Sequence, residues 1–156
     1  MTDVIQARPL TPEIVQLAPR HAAVVRVAGA SGELPALLGE AFGLTMAQVG
    51  ASGGQVAGPP FARYLAFGER IEAEVGFPYV GTLQPTDRVH DAELPGGRAV
   101  MATYVGPYEG IGDAWEQVRG WLRAERLVEA GPPWESYLTG PEEPGAPVTQ
   151  IVFPVR

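Results

Sequence analysis

A chain of 156 residues with 46% hydrophobic content can bury one compact core. Its formal net charge of −7 argues against the basic face that nucleic acid binding requires and favours the approach of cations. The sequence has no cysteine, which excludes disulfides and thiolate chemistry. All 11 of its basic residues are arginine, which excludes Schiff bases and a phosphate-loop lysine.

The opening stretch 1–9 lacks the basic-then-apolar pattern of a signal peptide. No apolar run approaches the roughly 20 residues that cross a bilayer. A single cytoplasmic domain, 1–156, with no membrane contact is the expectation. The first predicted strand is Arg20 to Gly29. Ser31 is then placed to cap a helix in which Leu34, Leu37, Leu38, Ala41 and Phe42 recur at helical spacing. Gly50 to Gly58 reads as a loop. Phe61 to Phe67 reads as a strand, and so does Glu69 to Tyr79, where Ile71, Ala73 and Val75 alternate with Arg70, Glu72 and Glu74.

A joint is expected between Gln84 and Asp91. Arg88 to Leu94 and Arg98 to Val105 read as strands around a Pro95-Gly96-Gly97 turn. Pro107 suits the first turn of a second helix, whose apolar positions Ile111, Ala114, Trp115, Val118, Trp121 and Leu122 read as core. Trp134 to Leu138 and Val148 to Val155 are the last two strands, joined by a loop rich in Pro and Glu.

This order contains a repeat. Gly58-Pro59-Pro60-Phe61-Ala62-Arg63-Tyr64-Leu65 answers to Gly131-Pro132-Pro133-Trp134-Glu135-Ser136-Tyr137-Leu138. Val24 to Gly29 answers to Met101 to Gly106, and Phe77-Pro78 to Phe153-Pro154, at nearly constant spacing. Two tandem strand–helix–strand–strand modules, 13–83 and 88–156, are predicted. They should form an α+β domain of pseudo-twofold symmetry, with an antiparallel sheet carrying both helices on one face. The copies diverge at one telling place, where Ala62 gives way to Glu135. A carboxylate between aromatics on a strand costs free energy without a partner. Strand alternation sets Glu135 and Tyr137 on one face and Trp134, Ser136 and Leu138 on the other. Glu135 either meets an arginine such as Arg63 or faces a cleft between the modules, where a carboxylate lined by tyrosines suits a lipophilic cation.

Leu94-Pro95-Gly96-Gly97-Arg98, Tyr104-Val105-Gly106-Pro107-Tyr108-Glu109, Pro133 to Leu138 and the closing Gln150 to Val155 together resemble the GyrI-like small-molecule-binding family. That family includes the effector-binding domains of multidrug-sensing transcription activators, and the likeness runs from about Val4 to Arg156. The resemblance implies a ligand cleft in which Glu135 recognises cationic aromatic compounds. Tyr64, Tyr104, Tyr108 and Tyr137 are candidates for its walls, with Phe61 and Trp134 as further aromatic contacts. No helix-turn-helix precedes the cleft segment, so a stand-alone member is expected rather than a transcription factor. Some stand-alone relatives hydrolyse cyclopropane-containing compounds, which would make Glu135 a base or nucleophile and Tyr137 a proton donor. Others inhibit DNA gyrase, which would make a protein the partner.

Rival motifs are weaker. Gly50-Ala51-Ser52-Gly53-Gly54 has the form of a nucleophile elbow but follows a helix instead of a strand. The two histidines, His21 and His90, lack metal-ligand spacing. No cofactor and no metal are expected.

Overall fold

The computed structural model describes residues 10–140 and 143–156. Along the chain it forms β1 (Glu13–Leu17), β2 (Arg20–Ala30), α1 (Leu34–Ala51), β3 (Gln55–Val56), β4 (Phe61–Ala66) and β5 (Arg70–Val80). There follow β6 (Val89–Leu94), β7 (Gly97–Val105), α2 (Ile111–Ala124), β8 (Trp134–Tyr137) and β9 (Val148–Pro154). All strand pairs are antiparallel. The sheet order is β1-β7-β9-β8-β4-β5-β2-β6, with short β3 attached to β5.

The elements read from periodicity are present, with ends moved by a residue or two. Two short strands escaped it. β1 borrows its partner β7 from far along the chain, and β3 is a two-residue pairing inside a glycine-rich loop. Ser31 does not cap α1. It begins a 3-10 turn, and the cap bond comes from Glu33, whose Oε1 accepts the Ala30 backbone N–H at 2.9 Å. Pro107 likewise precedes a 3-10 turn, Tyr108–Gly110, before α2 starts at Ile111.

Both helices lie on one face of the sheet. α1 packs Ala41 and Val49 against Ala23, Val25, Ala73 and Val75, while α2 packs Ala114, Val118 and Leu122 against Val100, Ala102, Ile151 and Phe153. Trp115 touches both clusters and so joins them. The opposite face has a core of its own, in which Ala22, Val24, Phe61, Ala99, Trp134 and Val152 are buried with Leu94. No helix contributes to that cluster among the described residues. Instead the sheet curls into a half-barrel and buries it between strands, as a strongly twisted antiparallel sheet can.

Gly76 permits part of that curl. A Cβ there would collide with the backbone of Ala23 and Val24 on β2, atoms that no side-chain motion can relieve. Gly76→Ala should therefore destabilise the domain by about 1–3 kcal/mol, read from the denaturant midpoint. Past the end of α2, Arg126 adopts a left-handed backbone at φ 58, and Leu127 N–H closes onto Leu122 O at 2.9 Å. Glycine suits such a helix exit better, so Arg126→Gly should raise the melting temperature, by roughly 1 kcal/mol of stability.

Candidate functional site

The repeated octapeptide builds the seam between β4 and β8. Ala62 pairs with Glu135, flanked by Phe61 with Ser136 and Arg63 with Trp134. Beyond the ladder, Tyr64 N–H donates to Pro133 O at 3.0 Å and Tyr137 N–H donates to Pro60 O at 2.9 Å. Each Pro-Pro segment thus receives the tyrosine of the other copy, and the two tyrosines enter the same face beside Glu135.

Over this seam α1 and α2 enclose a cavity of about 910 Å³. α1 supplies Leu34, Leu38 and Phe42 at successive turns, and α2 supplies Ile111, Trp115 and Arg119 at the same spacing. Tyr64, Glu135 and Tyr137 line it from the sheet. At its edge stand Phe67, 73% exposed and edge-on to Tyr64 at 5.4 Å, and Tyr108, 51% exposed and edge-on to Tyr137 at 6.3 Å. Large aromatic side chains left in water beside an apolar hollow are the kind of surface that a ligand covers.

Glu135 is 5% exposed. Its Oε1 accepts Trp115 Nε1–H at 2.6 Å, and its Oε2 accepts Tyr137 O–H at 2.7 Å and, more loosely, Tyr64 O–H at 3.4 Å. No cation pairs with it among the described residues. Arg63, the sequence-level alternative, lies on the other side of the sheet. It alternates away from Glu135 and pairs with Glu74 at 3.3 Å.

Burial therefore raises the Glu135 pKa above its ordinary 4.5, opposed by hydrogen bonds from Tyr137, Trp115 and Tyr64. Tyr64 and Tyr137 are pushed up as well, chiefly by burial and then by the Glu135 charge. Their hydroxyls stay protonated at neutral pH and remain donors. The result is a carboxyl group held by three neutral donors in an apolar cavity, with no cation paired to it among the described residues.

Of the residues singled out in the sequence, Glu135, Tyr137, Tyr64 and Tyr108 meet at this cavity. Three do not. Tyr104 is buried between α2 and the sheet, where its hydroxyl donates to Pro107 O at 2.7 Å and its ring fills the space beside Gly106 and Gly110. Phe61 and Trp134 point into the half-barrel interior, because strand alternation sets them opposite Glu135. Trp115 corrects the reading in the other direction. Expected as plain core, it supplies the shortest hydrogen bond to Glu135. Phe42, Phe67 and Arg119 also line the cavity without having been marked by any motif. Only the helical spacing of Phe42 with Leu34 and Leu38 hinted at a shared wall. Among the described residues no cluster of three acidic or histidine side chains could hold a metal.

A curled antiparallel sheet with two helices over an apolar, carboxylate-bearing cavity defines a class of small-molecule-binding domains. The chain belongs to the GyrI-like small molecule binding domain family, whose model matches residues 10–156. Among solved structures it is similar to the EcmrR C-terminal domain, with TM-score 0.82 and 17% identity over 94% of this chain and 98% of that one. It spans 57% of the EcmrR chain seen bound to DNA. It is also similar to SAV2435 bound to tetraphenylphosphonium, with TM-score 0.67 and 12% identity over 94% of each chain. A hydrolase from Listeria innocua matches with TM-score 0.60 and 15% identity over 93% of this chain and 91% of that one. At these identities the likeness is one of fold. No curated protein matches the chain. No helix among the described residues is long and apolar enough to cross a membrane.

Because burial raises the Glu135 pKa, its ionisation disfavours the folded state. The loss sets in as pH climbs past the unfolded value near 4.5 and is complete above the folded pKa. Glu135→Gln should therefore gain stability relative to wild type between acidic and neutral pH, compared in unfolding experiments at both. Trp115→Phe should do the opposite, costing about 1–3 kcal/mol by stranding Oε1 without its donor.

Proposed function

We propose that this domain binds lipophilic, cationic or aromatic small molecules in the cavity between α1 and α2, with Glu135 as counter-ion and Tyr64, Tyr137 and Tyr108 as aromatic walls. The single observation that carries this reading is the carboxyl group of Glu135, buried among neutral donors with no cation paired to it among the described residues, in a cavity wide enough for a drug-sized molecule. A delocalised cation would restore the Coulomb partner that burial removed and lie against electron-rich rings. A ligand-bound neighbour, SAV2435 with tetraphenylphosphonium, supports the same class of ligand. The open hollow favours a ligand over a protein-binding role, which would suit a filled, cleftless interface between the two halves. A cytoplasmic location fits the acidic composition and is part of this proposal.

The proposal includes a duplicated architecture, with a pseudo-twofold axis relating modules 13–83 and 88–156 and a joint within 84–91. Registers support it. Ala22 faces Pro78 and their counterparts Ala99 and Pro154 face each other; Phe61 faces Gly76 and Trp134 faces Val152. At the sheet edges Val24 faces His90 and Met101 faces Glu13, so each module lends its first strand to the other. In that frame Ala62 and Glu135 are counterparts that pair with one another, and the axis runs between them. One ligand-facing carboxylate then suffices for a site shared by both halves.

Titration with tetraphenylphosphonium tests the site. Glu135→Gln should weaken binding by about tenfold or more, since it removes one partner of a buried charge pair. Wild-type affinity should rise with pH above 4.5 and level off once Glu135 is ionised, because the probe itself does not titrate. Equal affinity in both proteins, flat with pH, overturns the role of the carboxylate.

A second reading is favoured by the 2.7 Å contact between Tyr137 and Glu135 and by the hydrolase neighbour. On a strained cyclopropane, Glu135 would take a proton from water as its oxygen bonds to a ring carbon. Tyr137 would protonate the carbon released by the breaking C–C bond and regain its proton from Glu135. The net change is addition of one water. Mass spectrometry of such a substrate should show that adduct with wild type and lose it with Tyr137→Phe; no adduct with wild type removes the reading.

A further inference from the structure

We propose that Arg119 makes this cavity selective for amphoteric aromatic ligands, which carry a carboxylate or similar anionic oxygen as well as the cation that Glu135 meets. The inference rests on the ligand-binding reading above and adds a second, oppositely charged contact to it.

The two helical walls differ in chemistry. The cavity residues of α1 are Leu34, Pro35, Leu38, Gly39 and Phe42, with no charge and no side-chain donor. On α2 the corresponding wall holds Trp115, Glu116 and Arg119, and Arg119 is the one cationic side chain lining the cavity among the described residues. An anionic substituent on a ligand therefore has a cationic partner on the α2 side only, which biases the ligand's orientation.

Arg119 is built to receive an anion. Its guanidinium lies over the ring of Trp115 at 5.7 Å and over that of Phe153 at 5.2 Å. Cation–π contacts with two rings help hold the guanidinium in place beside the cavity. No hydrogen bond engages the side chain among the described residues. Its ion partner Glu129 stands 3.6 Å from Nε, too far for a hydrogen bond, and both side chains are more than one-third exposed, so solvent screens the pair. Glu116, also on the cavity side, is exposed and adds a weaker, screened repulsion.

Trp115 sets the spacing between the two charges. Its Nε1–H is bonded to Glu135 at 2.6 Å while its ring carries the guanidinium, so the negative and positive groups are separated by about one indole. A purely cationic ligand meets attraction at Glu135 and repulsion at Arg119. A ligand with an anionic oxygen on an adjoining ring turns that repulsion into a charge-assisted hydrogen bond.

The test compares a rhodamine bearing a free carboxylate with its methyl ester, two dyes that share one cationic ring system. Fluorescence anisotropy with wild type should show the acid bound about tenfold or more tightly than the ester. Arg119→Gln should abolish the preference by weakening the acid alone. Glu129→Gln, outside the cavity, should enlarge it by releasing the guanidinium from its competitor. Glu135→Gln should weaken both dyes together. Equal binding of acid and ester by wild type, or equal loss of both in Arg119→Gln at unchanged melting temperature, overturns the proposal while leaving the cation site intact. Failure of wild type to bind either dye overturns this proposal and the ligand-binding reading together.

Discussion

The structure depends most on the pairing of β4 with β8, because that seam makes one sheet of two sets of strands and also creates the site. The same backbone ladder that joins Ala62 to Glu135 brings Tyr64 and Tyr137 to one face, each anchored to a proline carbonyl of the opposite strand. A methyl group opposite Glu135 leaves room for a carboxylate where a second large side chain would fill the floor. The seam is thus common to the sheet and to the floor of the cavity.

That arrangement places an energetic cost at the centre of the molecule. A carboxylate withdrawn from water is tolerated because three neutral donors aim at it, but none of them carries a compensating charge. Trp115 links this polar cluster to stability, since its indole bridges the two helix-side cores while its N–H holds Glu135. The half-barrel interior behind the seam is conventional by contrast. Phe61 and Trp134 fill it with apolar surface and stiffen the strands that present the site.

Much of the fold was legible because it is written in local periodicity. Alternation in Arg70–Val80 and helical spacing in Leu34–Ala51 mark single elements whose hydrophobic faces need only a neighbour of any kind. The strands that escaped, Glu13–Leu17 and Gln55–Val56, are short, and their pairing partners are remote or confined to two residues. At the site, strand alternation correctly separated Glu135 and Tyr137 from Trp134. The assignment of Tyr104 failed because residue type cannot tell a tyrosine whose hydroxyl is already bonded to a local carbonyl from one that faces a cavity. Trp115 was overlooked for the complementary reason: an apolar periodic position says that a side chain is inward, but not what its one polar atom meets.

By itself, the sequence determined the longer elements, the place where Glu135 replaces the alanine of the matching octapeptide and the face of the strand on which it lies, since all three follow from spacing along a single chain. Tertiary structure alone decided that Glu135 has no cation among the described residues, that Trp115 holds it, and that Arg119, Phe67 and Phe42 share its cavity. Those facts depend on distances between segments remote in sequence. They were set when β8 paired with β4 and two helices settled apart on the same face.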